Sequence, residues 1–295
     1  MLRKLIKHEI RATGKIIGTI ALGMIVLSML AAIFPVLALH FNSLSDNYLK
    51  EALNFVNNLL FTICLAGVLS AIIITFIILA RRFYKNMYGN EGYLTFTLPV
   101  TSNQLILSKL ITSMLSIFFV FLAGILCFII FITEMCLILS PSSIGYTLKY
   151  HMISNNIVFA YFDSGLLNAL YCVEKILVII LYIIMILLAA YLAITIGSTG
   201  SSNNRKILGT LLFIGENIVT LIGFLLVNVL RAKMYSNHLN WISAATSEQR
   251  MAEMDARYQS IIHLESGLQI LLLVIVIVVS YLLLKRHLNK KLNLQ

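Results

Sequence analysis

Six long apolar runs dominate this sequence: roughly Ile16–Leu39, Asn57–Ala80, Ile111–Leu139, Tyr171–Ile196, Ile207–Leu230 and Gly267–Leu284. Each is long enough to cross about 30 Å of hydrocarbon, which takes ~20 helical residues. Without water, every backbone N–H and C=O must find its partner inside the protein, and only helices and closed barrels achieve this. Barrel strands are short and alternate apolar with polar. Continuous apolar runs therefore dictate helices. Composition agrees: 60% of the 295 residues are hydrophobic and 12% are charged, against roughly 25% charged in an average soluble domain. The predicted class is an all-α polytopic membrane protein, one transmembrane domain over residues 1–295.

Charge placement predicts orientation. Of the 22 Lys and Arg residues, fifteen fall in the N-terminal segment, residues 81–110, Arg205–Lys206 and the C-terminal tail. The other seven lie on the alternate side, where Glu248, Glu253, Asp255 and Glu265 offset four of them. The positive-inside rule places both termini and residues 81–110 in the cytoplasm. In a soluble chain the net charge of +10 would suggest nucleic acid. Here the cations flank apolar spans, so the partner they imply is membrane lipid, and no nucleic-acid partner is expected.

The basic start "MLRKLIKHEIRATGK" is read as a retained anchor. The apolar run behind it is longer than the ~7–15 residues of a signal-peptide core, and no A-x-A site follows. Leu2, Leu5, Ile6 and Ile10 share one face, which predicts an amphipathic interfacial helix over residues 1–15. Residues 231–266 carry a second helical signal. Met251, Met254, Tyr258 and Ile261 recur at helical spacing, and Thr246 with Gln249 forms a capping box. Trp241, Met251, Met254 and Tyr258 are candidates for an extracellular gate. The same face could equally pack on loops or lie at the lipid surface.

Recognisable catalytic chemistry is missing. "HEIRA" at residues 8–12 opens like a zinc-protease motif but has Ala12 where the second His belongs. The chain has no G-x-S-x-G elbow and no GxxxxGK[ST] phosphate loop. Cys64, Cys127, Cys136 and Cys172 show no metal spacing and read as apolar packing residues. No catalytic residue, metal or cofactor is therefore assigned to this chain. Glu216, followed by Asn217, stands inside the fifth run, where a charge costs on the order of 3 kcal/mol at the bilayer centre. These two are candidates for lining or gating a pathway. The alternative is an interhelical hydrogen bond.

Residues 81–110, "RRFYKNMYGNEGYLTFTLPVTSNQLILSKL", break the apolar pattern for thirty positions. Arg81, Arg82 and Lys85 stop the second span. Tyr88–Tyr93 carries turn residues. Pro99 marks the end of a short element, and Ser102 can cap the helix that enters the third span. A plain connector needs only a few residues, so this length suggests a docking surface. Here "FYKNMYGNEGYLTFTLPVTSNQLILSKL" resembles the segment between the second and third spans of ABC-2-type permease subunits from Gram-positive bacteria. The closing "LLLKRHLNKKLNL" is similar to the C-terminal end of the same family.

The resemblance implies a permease subunit of an ATP-driven exporter in the bacterial plasma membrane. It implies a separate ATP-binding subunit that holds the ATP and Mg, and a second permease chain, identical or related. It also implies a cytoplasmic coupling helix, carried onto Glu91, Gly92, Tyr93, Leu94, Phe96, Pro99 and Thr101. Cargo would be an amphipathic or hydrophobic peptide, lipid or drug. A non-transporting sensor or peptide-resistance subunit bound to the same kind of ATPase is the alternative. The orientation is testable: protease added to intact spheroplasts should remove neither terminal tag until the membrane is permeabilised. Earlier loss of either tag would contradict the assigned topology.

Overall fold

A computed structural model describes residues 2–41, 47–89, 92, 101–138, 166–198, 203–244 and 247–292. They form six helices: α1 Leu2–Phe41, α2 Asn47–Tyr88, α3 Ser102–Ile138, α4 Leu166–Ser198, α5 Asn203–Ala244 and α6 Ser247–Leu292. Each contains one of the expected spans to within a residue and is long and apolar enough to cross a membrane. Large apolar side chains stand exposed on every helix, among them Leu22, Ile73, Phe119, Ile179, Leu226 and Ile275. A water-soluble protein rarely exposes such contiguous patches. In a bilayer, hydrocarbon covers them.

The helices outrun the spans. At 1.5 Å per residue, the 46 residues of α6 reach about 69 Å, more than twice the ~30 Å hydrocarbon thickness. Residues 2–15 do not form the separate interfacial helix expected for them; they run unbroken into the first span as α1. The reason is packing, because Glu9 on this stretch is bonded to side chains of α2 and α3. The expected helix after Trp241 likewise has no boundary of its own. Trp241 lies near the end of α5, and Met251, Met254 and Tyr258 belong to the first turns of α6, which begins beside the predicted capping box. Of the expected coupling segment, residues 91 and 93–100 lie outside the described part.

The chain divides into two compact units, one of Met1–Phe83 with Gln104–Ile157 and one of Tyr84–Asn103 with Val158–Gln295. In the first, α1, α2 and α3 meet around Ile17, Met24, Ala71, Leu79, Val120 and Cys127. In the second, α4, α5 and α6 pack on one another. There α4 is enclosed all round over Leu187–Leu192, and Leu273, Leu284 and Leu288 of α6 are fully buried. Several buried hydroxyls are satisfied within their own helices. Thr75 donates to the Ala71 carbonyl at 2.7 Å, Ser116 to Thr112 at 2.7 Å and Thr195 to Tyr191 at 2.7 Å. That back-bonding lets Ser and Thr sit in apolar spans without an orphaned donor.

Close backbone approach fixes the α4–α5 crossing. A Cβ on Gly209 would stand 2.4 Å from the Ala193 carbonyl oxygen and 3.2 Å from the Gly197 backbone. Only glycine lets these helices meet so closely, the usual device in membrane helix packing. Gly209→Leu should therefore abolish or strongly lower the yield of folded protein in detergent, whereas Gly215→Ala, with nothing within 4 Å of its Cβ, should leave it unchanged. Equal yields for the two would contradict the crossing.

Candidate functional site

In the second unit, polar contacts fall at three levels along α6. The first lies where α4, α5 and α6 come together around Glu265, whose side chain is only 5% exposed. Lys175 of α4 donates to it at 3.3 Å and Arg231 of α5 at 3.1 Å. Gln269, one turn on, donates at 2.9 Å and accepts from Lys175 at 3.1 Å. Beside this clamp Glu174 accepts from Ser266 and pairs with His263 Nδ1 at 2.9 Å. The Tyr171 ring carries Lys175 over its face at 5.2 Å and meets His263 edge-on.

The second level is Glu216 of α5. Its carboxylate accepts a hydrogen bond from Ser280 of α6. Asn217 turns its amide back to the Phe213 carbonyl of its own helix at 2.8 Å. The interhelical hydrogen bond left open by the sequence is thus made by Glu216 and not by Asn217. Ser280 is 15 residues beyond Glu265, or about 22 Å along the helix.

The third level is formed by the two ends of the inter-span segment. Ser102, first residue of α3, donates to Asn289 Oδ1 of α6 at 2.6 Å. The Tyr88 hydroxyl lies beside those of Thr195 and Ser198 in α4. Asn289 is 24 residues beyond Glu265, about 36 Å at helical rise. The first and third levels are therefore about one hydrocarbon thickness apart. Of the expected coupling residues, Gly92 and Thr101 are described. Gly92 is buried and helical, and its N–H donates to the Gly89 carbonyl at 2.9 Å. A Cβ there would stand 2.7 Å from the Met87 carbonyl oxygen, so the residue must be glycine. Thr101 is exposed just before α3. Glu91, Tyr93, Leu94, Phe96 and Pro99 lie outside the described residues, as do the side chains of Trp241, Met251, Met254 and Tyr258.

The first unit has a clamp that sequence reasoning missed. Glu9 of α1 is bonded to Lys109 of α3 and to Arg82 Nε of α2 at 3.3 Å. Thr13 donates to the Glu9 carbonyl. A lone carboxylate among Arg3, Lys4, Lys7, Arg11 and Lys15 was the available signal. Among the described residues no group of His, Cys, Asp and Glu is arranged to hold a metal ion.

No protein-family model, curated protein or solved structure matches this chain.

Removing one partner of a buried ion pair leaves an uncompensated charge and typically costs 3–5 kcal/mol. Glu9→Leu should thus lower unfolding stability in detergent by about 3 kcal/mol. Adding Arg82→Met and Lys109→Met should restore most of the loss, because no charge is then stranded. A melting temperature unmoved by Glu9→Leu would remove the clamp from the account.

Proposed function

We propose that this chain is the permease subunit of an ATP-driven exporter of the ABC-2 type, seated in a bacterial plasma membrane with both termini cytoplasmic. A separate ATP-binding subunit supplies ATP and Mg, and a second permease chain, identical or related, completes the pathway. The cargo class is an amphipathic or hydrophobic peptide, lipid or drug. Support comes from the resemblance carried by residues 81–110 and by the C-terminal string, together with six span-length helices. The observation that carries the reading is that the described ends of the inter-span segment, 84–89 and 101–103, belong to the same compact unit as α4 and α6. A connector held only by its two covalent ends would absorb a push. In this one the Tyr88 hydroxyl lies buried beside Thr195 and Ser198 of α4, and Ser102 donates a hydrogen bond to Asn289 of α6.

In this mechanism the ATP-binding subunit closes on nucleotide and presses on Glu91–Thr101. The push reaches Tyr88 and Ser102 and is delivered to the nearby ends of α4 and α6. Packed interfaces respond by moving between discrete arrangements rather than by bending continuously. Glu216 lies on the same unit, nine residues along α6 from Asn289 by its Ser280 bond, or about 14 Å. A shift of α6 against α5 strains that bond, which gives Glu216 a gating role.

Two experiments test this reading. Tyr93→Asp with Phe96→Asp should abolish co-purification with the ATP-binding subunit and the stimulated ATP turnover. Survival of both would refute docking at this segment. In sealed vesicles carrying the complex, Glu216→Gln and Glu216→Leu should each alter transport while leaving assembly intact. Wild-type transport in both variants would remove Glu216 from the pathway, and an assembled complex that moves no cargo would favour the sensor.

A further inference from the structure

The first unit holds an elongated, half-open cavity of about 380 Å³ between α1, α2 and α3. Its wall runs from Ile20 to Ala31 on α1 and from Leu60 to Ile74 on α2. At helical rise these stretches are about 17 and 21 Å long. Each helix contributes a glycine to the wall: Gly23, Gly67 and Gly124. A Cβ at Gly23 would meet nothing within 4 Å.

The wall offers no polar reward to a ligand. Ser28 donates to the Ile25 carbonyl at 2.8 Å, Ser70 to Gly67 at 2.8 Å, and the Cys64 thiol leans on the Leu27 carbonyl at 3.9 Å. With these groups turned to backbone, the remaining surface is aliphatic and aromatic. Apolar cavities of this kind stay free of water and take apolar guests. Left empty, the lining would forfeit its dispersion contacts. The cavity lies within spans that hydrocarbon surrounds, so acyl chains are the guest at hand. One end is followed by exposed cations: Lys15 lies five residues before Ile20 on α1, and Arg81 seven residues after Ile74 on α2. Those steps are about 8 and 11 Å, a distance at which basic side chains attract anionic headgroups.

We propose that the α1–α2–α3 cavity binds one acyl chain of an anionic bilayer phospholipid, with the headgroup at the level of Lys15 and Arg81. Length, apolarity and the terminal positive charge select this ligand together. A polar cargo would lack partners along the wall, and a neutral lipid would lack the charge attraction.

The test uses the full chain in phosphatidylcholine vesicles doped with a phosphatidylglycerol whose acyl chain carries a diazirine near its end. After irradiation, peptides covering Gly23–Ser28 and Gly124–Phe128 should be labelled, and the label should saturate at one lipid per chain as the probe fraction rises. Label on the lipid-facing stretch Leu221–Leu226 of α5 should rise in proportion to probe instead. Gly23→Leu, which fills the cavity without meeting existing atoms at its Cβ, should lose most of the wall label and keep the α5 label. A phosphatidylcholine probe with the same chain should label the wall severalfold less. Wall label that survives Gly23→Leu, that never saturates in the unsubstituted chain, or that is equal for the two headgroups would overturn the proposal. The saturation arm needs no variant, so it decides the matter even if Gly23→Leu fails to fold.

Discussion

A span in hydrocarbon has no water to accept what the protein leaves unpaired, and the rest of this architecture follows from that. Backbone groups close on themselves as six helices. Hydroxyls in the spans turn back to carbonyls three or four residues earlier. Carboxylates find cations or hydroxyls on neighbouring helices. Glu9 and Glu265 are almost fully buried and each is bonded to two cations from the two other helices of its unit. Such clamps add little net stability over apolar packing but penalise any arrangement that separates their members. Their consequence is register: each fixes which turn of one helix faces which turn of its neighbours. The Glu265 bonds are unequal, because Arg231 is half exposed and screened by solvent, while Gln269 is buried.

The two units repeat one plan. Each is three helices, with a carboxylate clamp toward one end and a glycine-permitted close approach elsewhere. They differ in what that approach leaves behind. In the second unit Gly209 and Gly197 bring backbones together. In the first, a space lined by Gly23, Gly67 and Gly124 is left that side chains do not fill. A firmly knit α4–α6 unit receiving both ends of the inter-span segment suits a lever, and a unit with an apolar cavity suits a lipid-facing role.

The spans were legible because continuous apolarity needs no partner to be recognised; all six fall inside the observed helices to within a residue. Glu216 was legible for the same reason, since a carboxylate within an apolar run stands out without knowledge of its neighbour. The clamps were not. Glu9 meets Arg82 and Lys109 across 73 and 100 residues of chain, and Lys175 and Arg231 read simply as flanking charges. The basic N-terminus shows the limit of face analysis: its apolar stripe suits an interface or a packed helix equally, and the Glu9 contacts favour packing. Periodicity found the helix at 251–261 but not its continuity with the sixth span, because no breaker separates them and none was needed. The cavity depends on how three helices pack, which no single run records.

The central claim is that residues 84–103 receive force from a nucleotide-driven partner and deliver it to α4 and α6. Hydrogen–deuterium exchange on the reconstituted chain, with and without the ATP-binding subunit and ATP, measures this most directly. The account predicts that the subunit slows exchange across 84–103, that ATP then changes exchange at Thr195–Ser198 and near Asn289, and that ATP alone changes nothing. Exchange at 84–103 that ignores the subunit, or a response to ATP by the isolated chain, would contradict it.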